Sequence, residues 1–327
     1  MIIDAQHHIM PLEYARYYEK YAVGPRCPKV TVNGKDSHID FGPLEYDYPY
    51  SKFSHEASIN MMDKFEIDVT LLSGQIPDAT LLPGELADEG TRILNNALQE
   101  TIERYPGRYK GIGFLPWNLP DKAIVEAERL KKLGFIGVML CSHISYERAD
   151  LPVYEPIYKE LARLGLPVFL HPMVPSWGND ISDYKMIPMM GFMIVESFCL
   201  MRLILSGIVE RTPDLRIVIP HCGGVVPYLA GRIWNQTMNM GRGMDNITIP
   251  PIDVLKSDQI WYDMVSPDPN GMRFLATFLG GIDRIMFSTD FPWVDQEMLF
   301  TKFKEAFPEK EEQDVIFSSA AKKLLGL

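Results

Sequence analysis

Short runs of apolar residues recur along the chain, and longer segments separate most of them. Each run has the length of a buried strand, and turn-forming residues flank many of them. Eight such runs are predicted as strands: residues 2–9, 69–73, 109–115, 136–141, 168–171, 217–221, 260–265 and 285–288.

Apolar side chains recur about every 3.6 positions between most of these strands, which is the spacing of a helix with one buried face. The helical ends carry the expected residues, since Pro213 closes one segment and Gly165 with Pro167 closes another. Five helices are predicted: residues 88–105, 120–133, 154–164, 198–211 and 271–278.

Strands and helices alternate along the whole chain, and this order predicts a parallel sheet. At 327 residues the natural closure of such a sheet is a (β/α)8 TIM barrel. The alternative is an open doubly wound sheet, but no G-x-G-x-x-G motif follows the first strand. We therefore predict a single α/β barrel domain over residues 1–327.

Two segments interrupt the alternation. Residues 12–55 are rich in tyrosine, proline and glycine, and residues 172–196 follow the fifth predicted strand. Both leave the C-terminal ends of strands, where barrel active sites form, so we predict lid-like insertions after strands 1 and 5, with 12–55 over the barrel mouth. Trp177 and the methionines of the second segment either pack over the mouth or line an apolar substrate pocket.

The bulk composition, with 46% hydrophobic and 23% charged residues, is that of a soluble globular protein. A net charge of -11 disfavours a nucleic-acid surface, because phosphate binding needs basic residues. No signal-peptide pattern opens the chain, and the longest near-apolar run, 186–195, is short for a membrane span. Four cysteines without a C-x-x-C pair favour a cytoplasmic location.

Polar residues follow several predicted strands at their C-terminal ends. His8, His171, His221 and Asp290 end the first, fifth, sixth and eighth strands or follow them, and His143 follows the fourth. A lone histidine after a strand is more often structural, but these strand ends converge on one cavity in a barrel. Imidazole nitrogen with a carboxylate suits zinc, iron or manganese, so the joint placement predicts one divalent metal site.

The first strand, "IIDAQHHIMP", carries two adjacent histidines. If the strand pleat is regular, Gln6 and His8 face the barrel interior together and His7 points away. A bulge in the strand could bring His7 in instead. A metal-binding strand usually reads His-x-His, and here the first position holds the neutral and weaker amide of Gln6.

The motifs "IDAQHHI", "GVMLCSH", "SGIVERTPDLRIVIPHCGGVVPYLAGRI" and "STDFPW", with the His-Pro pair at residue 171, resemble those of a known family. The chain is similar to the amidohydrolase-2 group of the amidohydrolase superfamily, above all to aminocarboxymuconate-semialdehyde decarboxylase and related aromatic-acid decarboxylases. The resemblance covers residues 1–10 and 56–327. It implies metal ligands at Gln6, His8, His171 and Asp290.

The resemblance also implies that His221 is an acid/base group that acts with Asp290. It implies a homodimer, in which Arg232 reaches a substrate carboxylate in the neighbouring subunit's site. Physical reasoning alone makes Arg232 a surface residue on a helix. We group Arg232, Trp177 and His143 as predicted substrate-binding residues, with the specific role of His143 left open.

The chain departs from the family pattern at three places. Gln6 stands where relatives have histidine or glutamate, and Gly224 stands where aromatic-acid decarboxylases often have a glutamate. The segment "SHEASINMMDKF" lacks the arginine found before the second strand of the decarboxylase, which disfavours a substrate with two carboxylates.

Three function classes remain open at this level. The leading hypothesis is a metal-dependent, non-oxidative decarboxylase of a small aromatic or unsaturated carboxylic acid, with zinc favoured over manganese and iron. The alternative is a lactonase-like hydrolase or hydratase with metal-activated water, toward which Gln6 tilts slightly because some lactonase relatives need no metal. The third is a weak or inactive subunit, or a redox-metal subunit, that partners a paralogue.

Overall fold

The computed structural model describes residues 1–24 and 27–326, so residues 25–26 of the predicted insertion and residue 327 lie outside the described part. Eight parallel strands form one sheet and follow each other around it in chain order. They are β1 (Ile3–Ile9), β5 (Val69–Gly74), β6 (Tyr109–Phe114), β7 (Gly137–Cys141), β8 (Val168–His171), β9 (Ile217–Ile219), β10 (Ile260–Asp263) and β11 (Ile285–Met286).

The last strand returns to the first and closes the sheet. The backbone N–H of Ala5 in β1 donates to the carbonyl of Phe287, directly after β11, at 2.9 Å. Parallel pairing with closure and intervening helices is a (β/α)8 TIM barrel, and this prediction is confirmed. β9 ends two residues before the predicted limit, because Pro220 has no N–H to continue the ladder and a 3-10 turn (His221–Gly223) follows.

Helices surround the barrel and connect its strands. They are α1 (Leu12–Tyr21), α2 (Tyr50–Phe53), α3 (His55–Lys64), α4 (Leu86–Arg104), α5 (Pro120–Leu133), α6 (Glu155–Leu164), α7 (Phe192–Leu205), α8 (Ile208–Arg211), α9 (Val226–Trp234), α10 (Pro251–Leu255), α11 (Pro269–Leu279), α12 (Gln296–Ala306), α13 (Lys310–Asp314) and α14 (Ala320–Leu325). Further 3-10 turns span Ala79–Leu81, Pro152–Tyr154, Gly178–Ile181 and Asp183–Lys185, and π-helical turns span Ile187–Gly191, Asn235–Asn239 and Val315–Ser319.

The predicted helix 198–211 is wrong at its start and is broken near its end. The π-helical turn at Ile187 leads directly into α7 at Phe192, since methionine and leucine favour helix and Pro188 sits in the first turn, where its missing N–H is harmless. Gly207 adopts a left-handed conformation (φ 81°) that ends α7 and starts the separate helix α8. The helix therefore includes residues 192–196 of the predicted insertion.

Hydrophobic residues pack in two layers. One fills the barrel interior and includes Ile3, Leu71, Ile112, Phe169 and Val218. The other lies between strands and surrounding helices, and its members are Leu72, Leu140, Leu203, Ile219 and Phe303 among others. The filled interior leaves the functional cavity at the C-terminal face of the barrel.

The first insertion builds its own small sheet. The strands β2 (Lys29–Asn33), β3 (Asp36–Asp40) and β4 (Glu45–Tyr48) pair antiparallel in chain order. Its Leu44 packs against Val174 and Ile187 of the second insertion. The two insertions therefore pack against each other, while the placement of residues 12–55 over the barrel mouth stays a prediction.

One helical run, Asp183–Leu205, is long and apolar enough to cross a membrane by length and composition alone (23 residues, mean hydropathy 1.7). Half of its most apolar window is buried inside the protein. A buried core helix meets the same criteria.

Candidate active site

A bulge in β1 decides which of its side chains enter the barrel. Asp4 pairs with Thr70 and His7 with Leu72, so β1 carries one more residue than β5 over this stretch. Ile3 and Ala5 belong to the interior layer, and Gln6 lines a small interior cavity directly after Ala5. Regular alternation from Ile3 and Ala5 would have placed His7 inside; the extra residue places Gln6 and His8 there instead.

His7 lies outside the barrel interior, the position predicted for it, but the bulge places it there and not the regular pleat that the prediction assumed. Its Nδ1 lies 2.9 Å from Asp4 Oδ2, and its Nε2 lies 2.6 Å from Ser58 Oγ. The ring stacks on Phe291 with centroids 4.7 Å apart. Burial lowers the pKa of His7, although Asp4 acts in the opposite direction. The residue joins β1 to α3 and to the loop after β11.

His8 and His171 each use Nδ1 in a hydrogen bond, which leaves the electron pair of Nε2 available to a metal ion. His8 Nδ1 lies 2.7 Å from Ser73 Oγ, and His171 Nδ1 donates to the carbonyl of Pro172 at 2.7 Å. The two rings stand edge to face, with centroids 4.9 Å apart. Burial, with His8 and His221 nearby, places the pKa of His171 well below its usual value. A neutral imidazole whose other nitrogen is hydrogen-bonded is suited to metal ligation.

Asp290 and Gln6 complete this group. Asp290 Oδ1 lies 3.3 Å from His8 Nε2 and accepts a hydrogen bond from Gln6 Nε2 at 3.3 Å. Gln6 Oε1 is buried and has no hydrogen-bond partner among the described residues. The structure therefore brings together the four predicted metal ligands, Gln6, His8, His171 and Asp290.

The donor chemistry of this group fits a divalent metal ion. A separation of 3.3 Å between His8 Nε2 and Asp290 Oδ1 is about what two ligands near 2.1 Å from one ion require. In the described part of the chain, no group of three or more His, Cys, Asp or Glu side chains is arranged so that it could hold a metal ion without the help of other residue types. The fourth predicted ligand is the Gln6 amide. Its Oε1 has no hydrogen-bond partner among the described residues and is the atom able to bind a metal ion.

His221 lies beside this group at the start of the turn after β9. Its Nδ1 is 3.0 Å from Glu196 Oε2, and its Nε2 is 4.0 Å from Asp290 Oδ2. Its backbone N–H donates to Asp263 Oδ1 at 2.8 Å, which holds the residue in a left-handed conformation (φ 55°). The imidazole therefore lies between two carboxylates: that of Glu196, buried in α7, and that of Asp290, one of the four predicted metal ligands.

The charges around His221 favour its protonated form. Burial by itself lowers the pKa of His221, but Glu196, Asp290 and Asp263 together raise it to about 9. Burial raises the pKa of Glu196 to about 7 and that of Asp263 to about 6, although His221 lowers both. A proton shared within this cluster is available near neutral pH.

His171, His221 and Asp290 face a cavity of about 340 Å³ at the barrel mouth, within the size range of small-molecule sites. Tyr46 of the first insertion and Trp293 pack together in its wall, with ring centroids 5.0 Å apart, and Phe192 of α7 also lines it. The Tyr46 hydroxyl has no hydrogen-bond partner among the described residues, and burial raises its pKa. No described residue lining this cavity is Lys or Arg.

The three predicted substrate-binding residues lie outside this cavity. Trp177 and His143 line a separate cavity of about 240 Å³. His143 Nε2 donates to the Val174 carbonyl at 2.9 Å, and its Nδ1 accepts from the Tyr146 N–H at 3.1 Å, while burial lowers its pKa. Arg232 is exposed on α9 and has no ion-pair partner among the described residues. Their roles in substrate binding stay predictions.

Glu196 and Tyr46 lie at the site but were not predicted from the sequence as site residues. Both lie in the segments taken as insertions, where no strand or helix period indicated their direction. A signal for Glu196 was present, since it is the one charged residue in the run "FMIVESFCL" and a buried lone carboxylate requires a partner.

The chain has relatives of known activity. It is 24% identical to 2-amino-3-carboxymuconate-6-semialdehyde decarboxylase from Dictyostelium discoideum, over 99% of this chain and 91% of that protein. It is 28% identical to gamma-resorcylate decarboxylase from Rhodococcus jostii, over 73% of this chain and 77% of that protein.

The fold is shared with solved structures. One is a dihydroxybenzoic acid decarboxylase from Polaromonas sp., with bound manganese and the inhibitor 2-nitroresorcinol, at a TM-score of 0.83 and 22% identity over 100% of this chain and 97% of that chain. A family model described as amidohydrolase matches residues 3–327. With nearly its whole length matched, the chain belongs to the amidohydrolase family.

Proposed function

We propose that this chain is a metal-dependent, non-oxidative decarboxylase of a small aromatic acid. The observation that carries the proposal is the contact between two groups able to move a proton, His221 and Asp290, at one wall of an aromatic cavity. The two named relatives are decarboxylases, which supports the reaction class. We also propose one divalent ion, for which the donor chemistry of His8, His171, Asp290 and Gln6 is suitable.

In such a reaction a proton adds to the ring carbon that bears the carboxylate. The carbon–carbon bond then breaks, its electron pair returns to the ring, and carbon dioxide leaves. Asp290 delivers the proton from Oδ2, and His221 replaces it through Nε2, which lies 4.0 Å away. The other oxygen of Asp290 faces His8 and Gln6, so the two oxygens have separate tasks.

His8, His171, Asp290 and Gln6 would hold a divalent ion, whose positive charge would offset the negative charge of the substrate. Zinc is the ion predicted from the sequence, while manganese is bound in the Polaromonas neighbour. Metal analysis of protein purified without chelator tests the choice between zinc, manganese and iron. Near-stoichiometric metal supports the enzyme, whereas no metal and a tight partner chain would support the inactive-subunit hypothesis.

The cavity favours a substrate with a single carboxylate and an aromatic ring. Tyr46, Phe192 and Trp293 offer apolar ring faces, and Tyr46 also offers an unpartnered hydroxyl for a ring oxygen. Because no described lining residue is Lys or Arg, one chain supplies no lysine or arginine side chain for a second carboxylate, and the one lining histidine that is held protonated, His221, is already paired with Glu196. Hydroxybenzoic acids match this description.

The direct experiment measures carbon dioxide released from a panel of mono- and dihydroxybenzoates. We expect release by the wild type and a loss of at least about a thousandfold in kcat for Asp290→Asn, since one variant removes both the proton donor and a charged donor of the metal group. Asp283→Asn, at an exposed carboxylate, is the matched control and should keep full activity. Products heavier by one water, without carbon dioxide, would instead identify a hydratase or hydrolase.

We further propose that the chain forms a homodimer through the face of α9. Tyr228 and Trp234 expose 81% and 48% of their surface there, and Met238 follows in the next turn with 43% exposed. Arg232 lies on the same helix and lacks a partner among the described residues of one chain. In a dimer, Arg232 of each copy would supply a guanidinium group for the substrate carboxylate in the other copy's cavity.

A further inference from the structure

We propose that Glu196 is the positioning residue for His221, and that Gly224 provides the space through which Glu196 reaches the imidazole. The proposal rests on the proposed function to the extent that His221 moves the proton in turnover. The contact itself is a property of the resting protein and is testable without a substrate.

Glu196 enters the site from α7 and is fully buried. Its Oε2 lies 3.0 Å from His221 Nδ1, and among the described residues His221 is the one side chain hydrogen-bonded to it. Because Nδ1–H is donated to this carboxylate, the ring must present Nε2 toward Asp290, at 4.0 Å. Glu196 thus determines both the orientation of His221 and which nitrogen faces the cavity.

Gly224 lies three residues after His221, in a left-handed conformation (φ 59°), and packs against the first turns of α7. A Cβ at this position would lie 2.8 Å from the Met193 carbonyl oxygen and 3.1 Å from Glu196 Oε1, and it would overlap Ser197 Oγ. Ser197 Oγ in turn accepts a hydrogen bond from the Val225 N–H at 2.9 Å. Only glycine lets α7 approach the turn closely enough for Glu196 to contact His221.

Gly224 and Glu196 thus act together. The absence of a side chain at residue 224 lets α7 approach the turn after β9, and the carboxylate at residue 196 then reaches the imidazole of His221.

A positioning role predicts a specific kinetic pattern. Glu196→Ala should lower kcat by about 10- to 100-fold, as loss of a partner that orients a functional histidine does in metal sites, and should change KM much less. Glu196→Gln should recover part of the loss, because its amide oxygen can still accept Nδ1–H. Glu309→Gln, at an exposed carboxylate, is the matched control.

The decisive test is a double-mutant cycle with His221→Asn. If Glu196 acts through the imidazole, adding Glu196→Ala to His221→Asn should change kcat by less than about twofold. A loss in that background as large as in the wild type would overturn the proposal, because it would show that Glu196 supports the fold or the cavity independently of His221.

A second measurement separates this proposal from the proposed function. In protein with 15N-labelled histidine and no substrate, NMR should show His221 protonated at Nδ1, with the signal assigned through its absence in His221→Asn. The Nδ1–H signal should be lost in Glu196→Ala and retained in Glu309→Gln.

An unprotonated Nδ1 in the wild type, or a spectrum unchanged by Glu196→Ala, would overturn the proposal even if the protein were an active decarboxylase. A protein inactive on every benzoate but with the expected spectrum would refute the proposed function alone.

Discussion

Gln6 is one of the four predicted metal ligands and lies between His8 and Asp290. Its amide contributes no charge. Its Nε2 donates to Asp290, while Oε1 has no partner among the described residues. A buried acceptor without a partner is unfavourable unless something else, such as a cation, interacts with it. Residue 6 should therefore tune the affinity for metal without deciding whether the site exists.

Gln6→Glu should raise the affinity for zinc and manganese by about tenfold, because a carboxylate adds charge at the same position. Gln6→Leu should lower the affinity, since it removes the remaining oxygen. Competition with a chromogenic chelator measures both changes. Equal affinities for wild type and both variants would mean that residue 6 does not contact the ion.

Asp78 is a buried carboxylate that does not line the active-site cavity. Burial raises its pKa to about 6, although hydrogen bonds from Thr80 and Cys141 act in the opposite direction. Between about pH 4 and pH 6 the folded protein then binds more protons at this site than the unfolded chain does. The free energy of unfolding contributed by Asp78 therefore falls as pH rises through this window.

Asp78→Asn should remove this pH dependence. Its free energy of unfolding relative to wild type should rise by about 1–3 kcal/mol between pH 4 and pH 7.5, since a shift of one pKa unit corresponds to about 1.4 kcal/mol. Urea denaturation at the two pH values measures the difference. A difference that does not change with pH would contradict the raised pKa of Asp78.

At the scale of elements, two local deviations from regular structure build the site. The bulge in β1 turns Gln6 and His8 into the barrel and leaves His7 outside with Asp4 and Ser58. The early start of α7 carries Glu196 to His221. Neither deviation follows from the hydrophobic period of its own segment, because both depend on the elements packed against them.

Gly224→Ala tests the close approach of α7 to the turn after β9. We expect a loss of about 2 kcal/mol or more in the free energy of unfolding, from the left-handed backbone and from contact with Met193 and Ser197. Gly231→Ala is the matched control, since a Cβ there meets no atom within 4 Å and the residue lies inside α9. It should stabilise the protein by about 0.5–1 kcal/mol, as alanine favours helix. Similar changes in both variants, measured by denaturation, would argue against a close approach at Gly224.

At the scale of the whole molecule, the exposed apolar face of α9 is the feature that a single chain leaves unexplained. With a chain mass of 37.3 kDa, the wild type should sediment at twice that mass. Trp234→Glu should shift it to the monomer and lower activity, because a charge at the centre of an apolar interface is costly to bury. Val125→Glu, at an exposed position on α5, should remain dimeric. A wild type that is monomeric at micromolar concentration would refute the homodimer.

Much of this protein could be predicted from its sequence. The alternation of strands and helices indicated the barrel, because period and order are local properties that survive folding. His8, His171, His221 and Asp290 were placed together by one rule, that the C-terminal ends of barrel strands converge. The family and the barrel are confirmed, while the cytoplasmic location and the substrate-binding roles of Trp177, His143 and Arg232 stay predictions.

The sequence by itself thus determined the fold class, the end of the barrel that carries chemistry and the residue types available there. Only the tertiary structure decided that a bulge, and not a regular pleat, turns Gln6 and His8 inward, that Glu196 accompanies His221, and that Trp177 and His143 line a different cavity. The reason is physical. Periodicity records which face of an element is apolar, whereas a bulge, a helix start inside an insertion and a glycine-dependent close approach arise from contacts between segments distant in the chain.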